Sequence, residues 1–389
     1  LPSQSKIQNP KSKIPIAIIA GEASGDLIGG LFVRAVKEKD PSASFFGIGG
    51  ERMREAGVEL LHTTKEMAFL GFVEVLKHLP FVSRVLNEME SLLRERKPGL
   101  LVLIDYPGFN LRLAERAKKL GIPVMYYISP QVWAWGKGRV KKMRRLVDKM
   151  VVAFPFEVGI YEKEGISVEF VGHPLVEVVK SRMSRQEFCS QAGLSPEKPI
   201  LGLLPGSRRQ EVEKILPVMV EAARVIREKM PDVQPVMGIA EGLEDKDFAV
   251  TGEVKRVKGL TYELMASSDL VIVASGSATL ETGILGTPMV VLYKTSFLSY
   301  QIAKKVVTIP NIALINVVAG KRLVPEFVQG QARPDKVAKA ALELLGDSSK
   351  REEIKQELKK AVSSLGGPGA SAKAAEIALS LVGETSHPG

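Results

Sequence analysis

The residues most able to do chemistry in this chain sit directly after apolar runs. Gly21-Glu22-Ala23-Ser24-Gly25-Asp26 follows the β-branched stretch 14–20. Its small residues let backbone come close to a ligand, and a helix beginning there offers free N–H groups and a positive dipole end to an anion or a sugar hydroxyl. Gly21, Ser24, Gly25 and Asp26 are therefore candidate binding positions, while a tight turn capped by Ser24 or Asp26 explains the same string. The spacing is not G-x-G-x-x-G, which removes the main support for a dinucleotide oxidoreductase. Asp105, in Leu103-Ile104-Asp105-Tyr106-Pro107-Gly108-Phe109-Asn110, closes another apolar run. A carboxylate at the end of a parallel strand, beside aromatics that would raise its pKa, suits a general base; capping of the next turn is the structural alternative.

Two further strings suit phosphate. Leu204-Pro205-Gly206-Ser207-Arg208-Arg209-Gln210-Glu211 reads as strand, turn and helix start. Gly206 and Ser207 supply the turn, and an Arg208 guanidinium there adds full charge where the backbone donors point. Cations at a helix N-terminus oppose the macrodipole, which disfavours a purely solvated role. Val273-Ala274-Ser275-Gly276-Ser277-Ala278-Thr279-Leu280-Glu281 repeats the arrangement. Ser275, Gly276, Ser277 and Thr279 offer hydroxyl and N–H donors to a phosphate, and Glu281, one turn on, can accept both hydroxyls of a ribose. A plain N-cap accounts for one Ser or Thr but not for the whole run.

Other sources of chemistry are few. Cys189 is the single cysteine, so neither an internal disulfide nor a cysteine metal cluster can form, and a reducing compartment is expected. The four histidines show no metal-ligand spacing, and no metal or cofactor is expected. The formal net charge of +10 favours anionic partners. Ser129-Pro130-Gln131-Val132-Trp133-Ala134-Trp135 precedes the basic run Lys137, Arg139, Lys141, Lys142, Arg144 and Arg145. That pairing could stack rings and hold phosphate, or be core aromatics followed by a solvated helix; nucleic-acid binding lacks any accompanying fold signature. Met67-Ala68-Phe69-Leu70-Gly71-Phe72-Val73-Glu74-Val75-Leu76 is apolar enough to dip into a bilayer surface if exposed, and is core if buried. No apolar run reaches the ~18 residues of a membrane span, and residues 1–13 read as a polar, basic, mobile tail.

These positions require scaffolding that the pattern supplies. Near-continuous apolar strands at 14–20, 44–48, 100–104 and 124–128 alternate with helical stretches, among them 79–96 and 111–120, and point to a parallel sheet covered on both faces. The pattern restarts after 172–185, with strands at 199–204, 233–239, 254–257, 269–274 and 289–293, and ends in helices at 336–345, 351–364 and 371–382. The expected organisation is a tail (1–13), a Rossmann-like domain (14–180), a second (181–365), and a C-terminal helix and tail (366–389) for which return to the first domain is one option. Facing Rossmann-like domains would form a ligand cleft at their strands' carboxyl ends.

The set of strings, in order and spacing, resembles the lipid-A-disaccharide synthase family, inverting glycosyltransferases of bacterial outer-membrane lipid biosynthesis. Besides those above it includes Gly47-Ile48-Gly49-Gly50, Phe170-Val171-Gly172-His173-Pro174-Leu175 and Val324-Pro325-Glu326. The resemblance implies an α/β fold of the GT-B type with an interdomain cleft and no required metal. It implies transfer of 2,3-diacylglucosamine from UDP to 2,3-diacylglucosamine 1-phosphate, with peripheral contact on the cytoplasmic face of the inner membrane and a homodimer left open. By the same resemblance Asp105 is the leading base for the acceptor 6-hydroxyl, Arg208 belongs to the donor site and Asn316 to the substrate-binding set. Gly108 stands where the family often has a second aspartate, so two carboxylates are not expected in that loop. A UDP-sugar epimerase on the same plan and a basic nucleic-acid-binding protein are the alternatives.

Overall fold

In the computed structural model the described residues are 14–67, 79–134, 138–240, 243, 248, 254–296, 300, 301, 304 and 309–385. The tail 1–13, most of the apolar stretch 67–76, Trp135 and Lys137 lie outside them. The chain divides into two compact units, one made of 1–174 with 369–389 and the other of 175–368.

The first unit holds seven strands: β1 (Ile16–Ala20), β2 (Phe45–Gly49), β3 (Val58–Thr63), β4 (Leu100–Ile104), β5 (Val124–Tyr127), β6 (Lys149–Val152) and β7 (Val168–Phe170). Their order is β3-β2-β1-β4-β5-β6-β7, and the pairings are parallel. The central strands IAIIA and LLVLI are buried along their whole length, because helices cover both faces. Side-chain alternation divides the core in two. On one face Ala17, Ile19, Leu101, Leu103 and Tyr126 meet Leu86, Met89, Leu113 and Met143. On the other, Ile16, Ile18, Val102 and Tyr127 meet Phe32 and Val36 together with Ala370, Ala374, Ala375 and Ala378.

The helices of this unit are α1 (Ala23–Lys39), α2 (Glu51–Glu55), α3 (Thr64–Met67), α4 (Leu79–Arg96), α5 (Pro107–Lys119), α6 (Gly138–Leu146) and α7 (Pro155–Glu162). The final helix of the chain (Ala370–Thr385) packs its alanine face against the sheet beside α1. A third of the basic run's helix α6 is buried through Val140, Met143 and Leu146, while Lys141, Lys142, Arg144 and Arg145 are exposed.

The second unit repeats the plan. Its strands β8 (Ile200–Leu204), β9 (Gln234–Ile239), β10 (Lys255–Lys258), β11 (Leu270–Ala274), β12 (Met289–Tyr293) and β13 (Glu326–Val328) run in the order β10-β9-β8-β11-β12-β13, again parallel. Chain order supplies α8 (Leu175–Val178), α9 (Arg185–Ala192), α10 (Arg209–Lys229), α11 (Thr261–Ser267), α12 (Ser277–Ile284), α13 (Leu314–Ala319), α14 (Pro334–Gly346) and α15 (Ser348–Ser363), so the terminal helix is α16. In each sheet the strand order reverses beside the first strand. The crevice outside the carboxyl ends there is where open α/β sheets bind ligands. β1 and β4 flank it in the first unit, β8 and β11 in the second.

Candidate active site

Each of the four glycine- or carboxylate-bearing strings emerges at one of these switch points. In the first unit β1 runs into Gly21 and then α1, with Glu22 as its extended N-cap. Ser24 is exposed in the first turn. Gly25 lets α1 close onto the sheet, since a Cβ there would lie 3.3 Å from the Ala20 Cβ and 3.5 Å from Ile104. Gly21 answers a different demand: a Cβ would come within 2.4 Å of the Tyr106 ring, which lies over it. Asp26, expected to face a ligand, is instead built into the fold. Its carboxylate accepts the N–H groups of Gly50 at 2.6 Å, Arg52 at 3.1 Å and Met53 at 3.0 Å, and so caps α2.

Asp105 follows β4 in a left-handed conformation (φ 43°), and Tyr106 repeats it (φ 47°). Ile128, just past the neighbouring β5, is also left-handed (φ 61°), which for a β-branched residue is a true outlier. Of five such non-glycine residues among those described, three meet at this one point. Strain of this kind, of order 1–3 kcal/mol per residue, persists only where the surroundings over-determine it, and it gathers at functional sites. The surroundings here are specific. The Asp105 carbonyl accepts the Asn110 Nδ2 amide at 2.7 Å and the Tyr126 hydroxyl, while the Asp105 N–H donates to the Ile128 carbonyl at 3.1 Å. Asn110 also donates to Ile104 at 3.2 Å and is fully buried. The Tyr106 hydroxyl reaches the Met67 carbonyl at 3.0 Å.

A second carboxyl enters from an element that the sequence reading passed over. Glu157 in α7 is buried and accepts Ser129 Oγ at 2.6 Å and Trp133 Nε1 at 3.1 Å on one oxygen, with the Phe154 N–H at 3.2 Å on the other. Burial pushes its pKa up to about 7 against the pull of those three donors, and the negative charge of Asp105 adds to the rise. Burial, and after it the charge of Asp105, also holds the Tyr126 phenol well above its ordinary value. The Tyr106 phenol is pushed up to about 12 by burial and by the charge of Glu22. Asp105 thus acts on Glu157 and Tyr126, and Glu22 on Tyr106, and perturbed groups gathered at a switch point mark a candidate site.

In the second unit β8 ends in Pro205-Gly206, where Gly206 takes φ 121° and a Cβ would come 2.6 Å from Glu211 Oε2. Ser207 is exposed, and Arg208 forms the N-cap of α10 with its Nη1 3.2 Å from Glu211 Oε1. Tyr293, at the end of β12, has its phenol raised by burial and by Glu211, with Arg208 opposing. Arg208, Glu211 and Tyr293 therefore act on one another; Tyr293 and Glu211 were not among the expected residues.

At β11, Ser275 is tied by its N–H to Leu292 at 2.8 Å and by its hydroxyl to the Ile312 carbonyl at 3.3 Å. Gly276 caps α12 and is exposed, with Ser277 half-buried beside it. The Glu281 carboxyl is raised by burial, against a bond from Ser277. Thr279 does not present its hydroxyl: it is fully buried and donates to the Gly276 carbonyl at 2.8 Å.

Asn316 also departs from expectation. It is fully buried, donates to the Val324 carbonyl at 2.9 Å and to Glu326 Oε1 at 2.7 Å, and accepts the Val324 N–H at 2.9 Å. Glu326 in turn receives the N–H groups of Ile312 at 2.9 Å and Ala313 at 3.0 Å. The amide is spent on this network, which fixes the segment whose Ile312 carbonyl receives Ser275. Those bonds shape the loop. Among the described residues no group of three His, Cys, Asp or Glu side chains could hold a metal ion, and no helix is long and apolar enough to cross a membrane.

Two Rossmann-like sheets, each with a ligand-type loop at its switch point, define the GT-B class, and solved structures share the plan. UDP-GlcNAc 2-epimerase from Neisseria meningitidis superposes with a TM-score of 0.64 at 12% identity, covering 94% of this chain and 99% of that one. The glycotransferase of kitacinnamycin gives 0.63 at 14%, covering 95% and 99%. At such identities the likeness speaks for the fold alone. The sequence goes further: the family model for lipid-A-disaccharide synthetase matches residues 16–381. Lipid-A-disaccharide synthases from Trichlorobacter lovleyi and Geobacter sulfurreducens are each 45% identical, over 94% and 95% of this chain and 97% of their own lengths. The chain belongs to the lipid-A-disaccharide synthetase family and is a glycosyltransferase.

Two substitutions probe this architecture. Gly21→Ala should force the Tyr106 ring aside at a cost of about 1–3 kcal/mol, lowering the melting temperature and activity together; a melting curve and turnover equal to wild type would show that the ring yields freely. Asn316→Ala should take from Val324 the two bonds that its buried N–H and carbonyl make to the amide and from Glu326 one of its three donors, and destabilise by about 2–3 kcal/mol in denaturant titration. A loss of activity with full stability would return Asn316 to the ligand set.

Proposed function

We propose that the chain transfers a 2,3-diacylglucosamine unit from its UDP derivative to 2,3-diacylglucosamine 1-phosphate, forming a β-1,6-linked disaccharide 1-phosphate and UDP. The observation that carries this reading is the strained, clamped Asp105 at the switch point of the first sheet. A general base must be held in one place with its carboxylate committed to the substrate, and two side chains fixing one backbone carbonyl supply that constraint. In this reading the first unit binds the acceptor. Asp105 takes the proton of the 6-hydroxyl as that oxygen attacks the anomeric carbon of the donor, opposite the departing UDP, and a single displacement inverts the centre.

The donor belongs to the second unit. Glu281 accepts the ribose hydroxyls, and the free N–H groups at Gly276 and Ser277 face the diphosphate with Gly206, Ser207 and Arg208. Backbone donors and a guanidinium stabilise negative charge as it develops on the leaving group. Support comes from the positions of these residues at the carboxyl ends of β8 and β11, and from the half-exposed Arg208 beside Tyr293. Peripheral contact with an anionic membrane is part of the proposal, carried by exposed cations such as Lys141, Arg144 and Arg145.

Asp105→Asn should lower turnover by roughly 100-fold or more while UDP binding is kept, whereas Arg208→Ala should weaken UDP binding. Assay of disaccharide formation and calorimetric titration with UDP separate the two, and near-normal turnover of Asp105→Asn would remove it as the base. Release from anionic vesicles should rise steeply with salt in a sedimentation assay, by the screening of surface charge. Salt-independent binding would assign the contact to apolar residues.

A further inference from the structure

Glu157 is bound more elaborately than a helix cap requires. One oxygen suffices for the cap: Oε2 takes the Phe154 N–H and closes the first turn of α7. The other, Oε1, takes Ser129 Oγ and Trp133 Nε1, and both donors belong to the loop that leaves β5 beside Asp105. The carboxyl is 2% exposed, so these donors replace the water that would otherwise solvate it. The same loop begins at the strained Ile128, whose carbonyl receives the Asp105 N–H. Glu157 and Asp105 are therefore joined twice, through that loop and through the field between their charges.

We propose that Glu157 is a positioning residue for the transfer reaction: it locks the Ser129–Trp133 loop against Asp105, and its charge state sets how strongly Asp105 holds a proton. This rests on the reading of Asp105 as the base. Other groups act on the pair as well. Asp105 comes from the end of β4, and Tyr161, one turn on in α7, has a phenol raised by its own burial and then by Glu157 and Asp105. Arg139 of α6 acts on the adjoining Tyr126 phenol. His173, stacked at 5.2 Å on Phe154, is neutral, because burial lowers its pKa to about 4.

The sign of the effect follows from the charges. With its pKa raised to about 7, Glu157 is neutral below that pH and negative above it. The negative form repels the charge of Asp105 and so makes that carboxylate the stronger base. Turnover should accordingly climb in a step centred near pH 7. Glu157→Gln carries no charge and should be flat across this window at the low-pH level. Ser129→Ala removes one donor to the charged form while leaving the cap, so it should move the step to higher pH.

The experiment is steady-state disaccharide formation from pH 5.5 to 9 for wild type and both variants, with infrared titration of the protonated buried carboxyl as a readout independent of turnover. A step that vanishes in Glu157→Gln and shifts upward in Ser129→Ala supports the proposal; should Glu157→Gln fail to fold, the Ser129→Ala shift and the infrared band carry the test. A wild-type profile without the step, or a step that survives in Glu157→Gln or stays put in Ser129→Ala, overturns it. Asp105→Asn, run alongside, separates the two readings. If it retains near-normal turnover the base assignment falls with everything built on it, whereas an inactive Asp105→Asn beside an unshifted step removes only the role of Glu157.

Discussion

One carbonyl oxygen fixes the turn that leaves the centre of the first sheet. The Asp105 C=O, at the end of β4, receives both the Asn110 amide and the Tyr126 hydroxyl. Without them a chain leaving a parallel strand would have no reason to take two successive left-handed steps at non-glycine residues, a conformation that L side chains disfavour by 1–2 kcal/mol each. With them the turn is fixed from two directions, by the helix that follows β4 and by the strand beside it. Everything near the site is arranged around that turn: Tyr106 swings over Gly21, Gly21 must be bare to receive it, and α1 begins where the ring leaves room.

The buried strands were legible in the sequence because helices on both faces leave no polar side, so IAIIA, LLVLI, ILGLL and LVIVA stand out as uninterrupted apolar runs. Shorter or half-exposed strands did not. β7 and β13 are three residues each, and β3 is half-buried over most of its length with Glu59 exposed. None offers enough periodicity to separate from a loop. The switch-point motifs were legible for a related reason: small residues after an apolar run announce a strand entering a helix.

The roles of individual side chains were less so, and for a shared reason. Asp26, Thr279 and Asn316 are residue types that bind ligands and also bind backbone, and only coordinates reveal which partner claims them. All three hold turns together in this fold. Glu157 escaped for a different reason: Phe154 has no side-chain acceptor to complete a capping box, so no local pattern marks a carboxyl that takes the Phe154 N–H and, on its other oxygen, two donors from a distant loop. Asn110 and Tyr126 act through backbone across 5 and 21 residues of chain, a geometry no spacing rule reports.

The terminal helix α16 closes a core whose other members are made before residue 174, with the whole second unit synthesised in between. During translation residues 175–368 are complete and free to fold while one face of the earlier sheet still lacks its alanine-lined cover. Domains generally fold as units in the order they emerge. The first unit is discontinuous in sequence, so Phe32 and Val36 gain their full packing only once α16, made after residues 175–368, is available. A segment made after the second unit thus completes the core of the first.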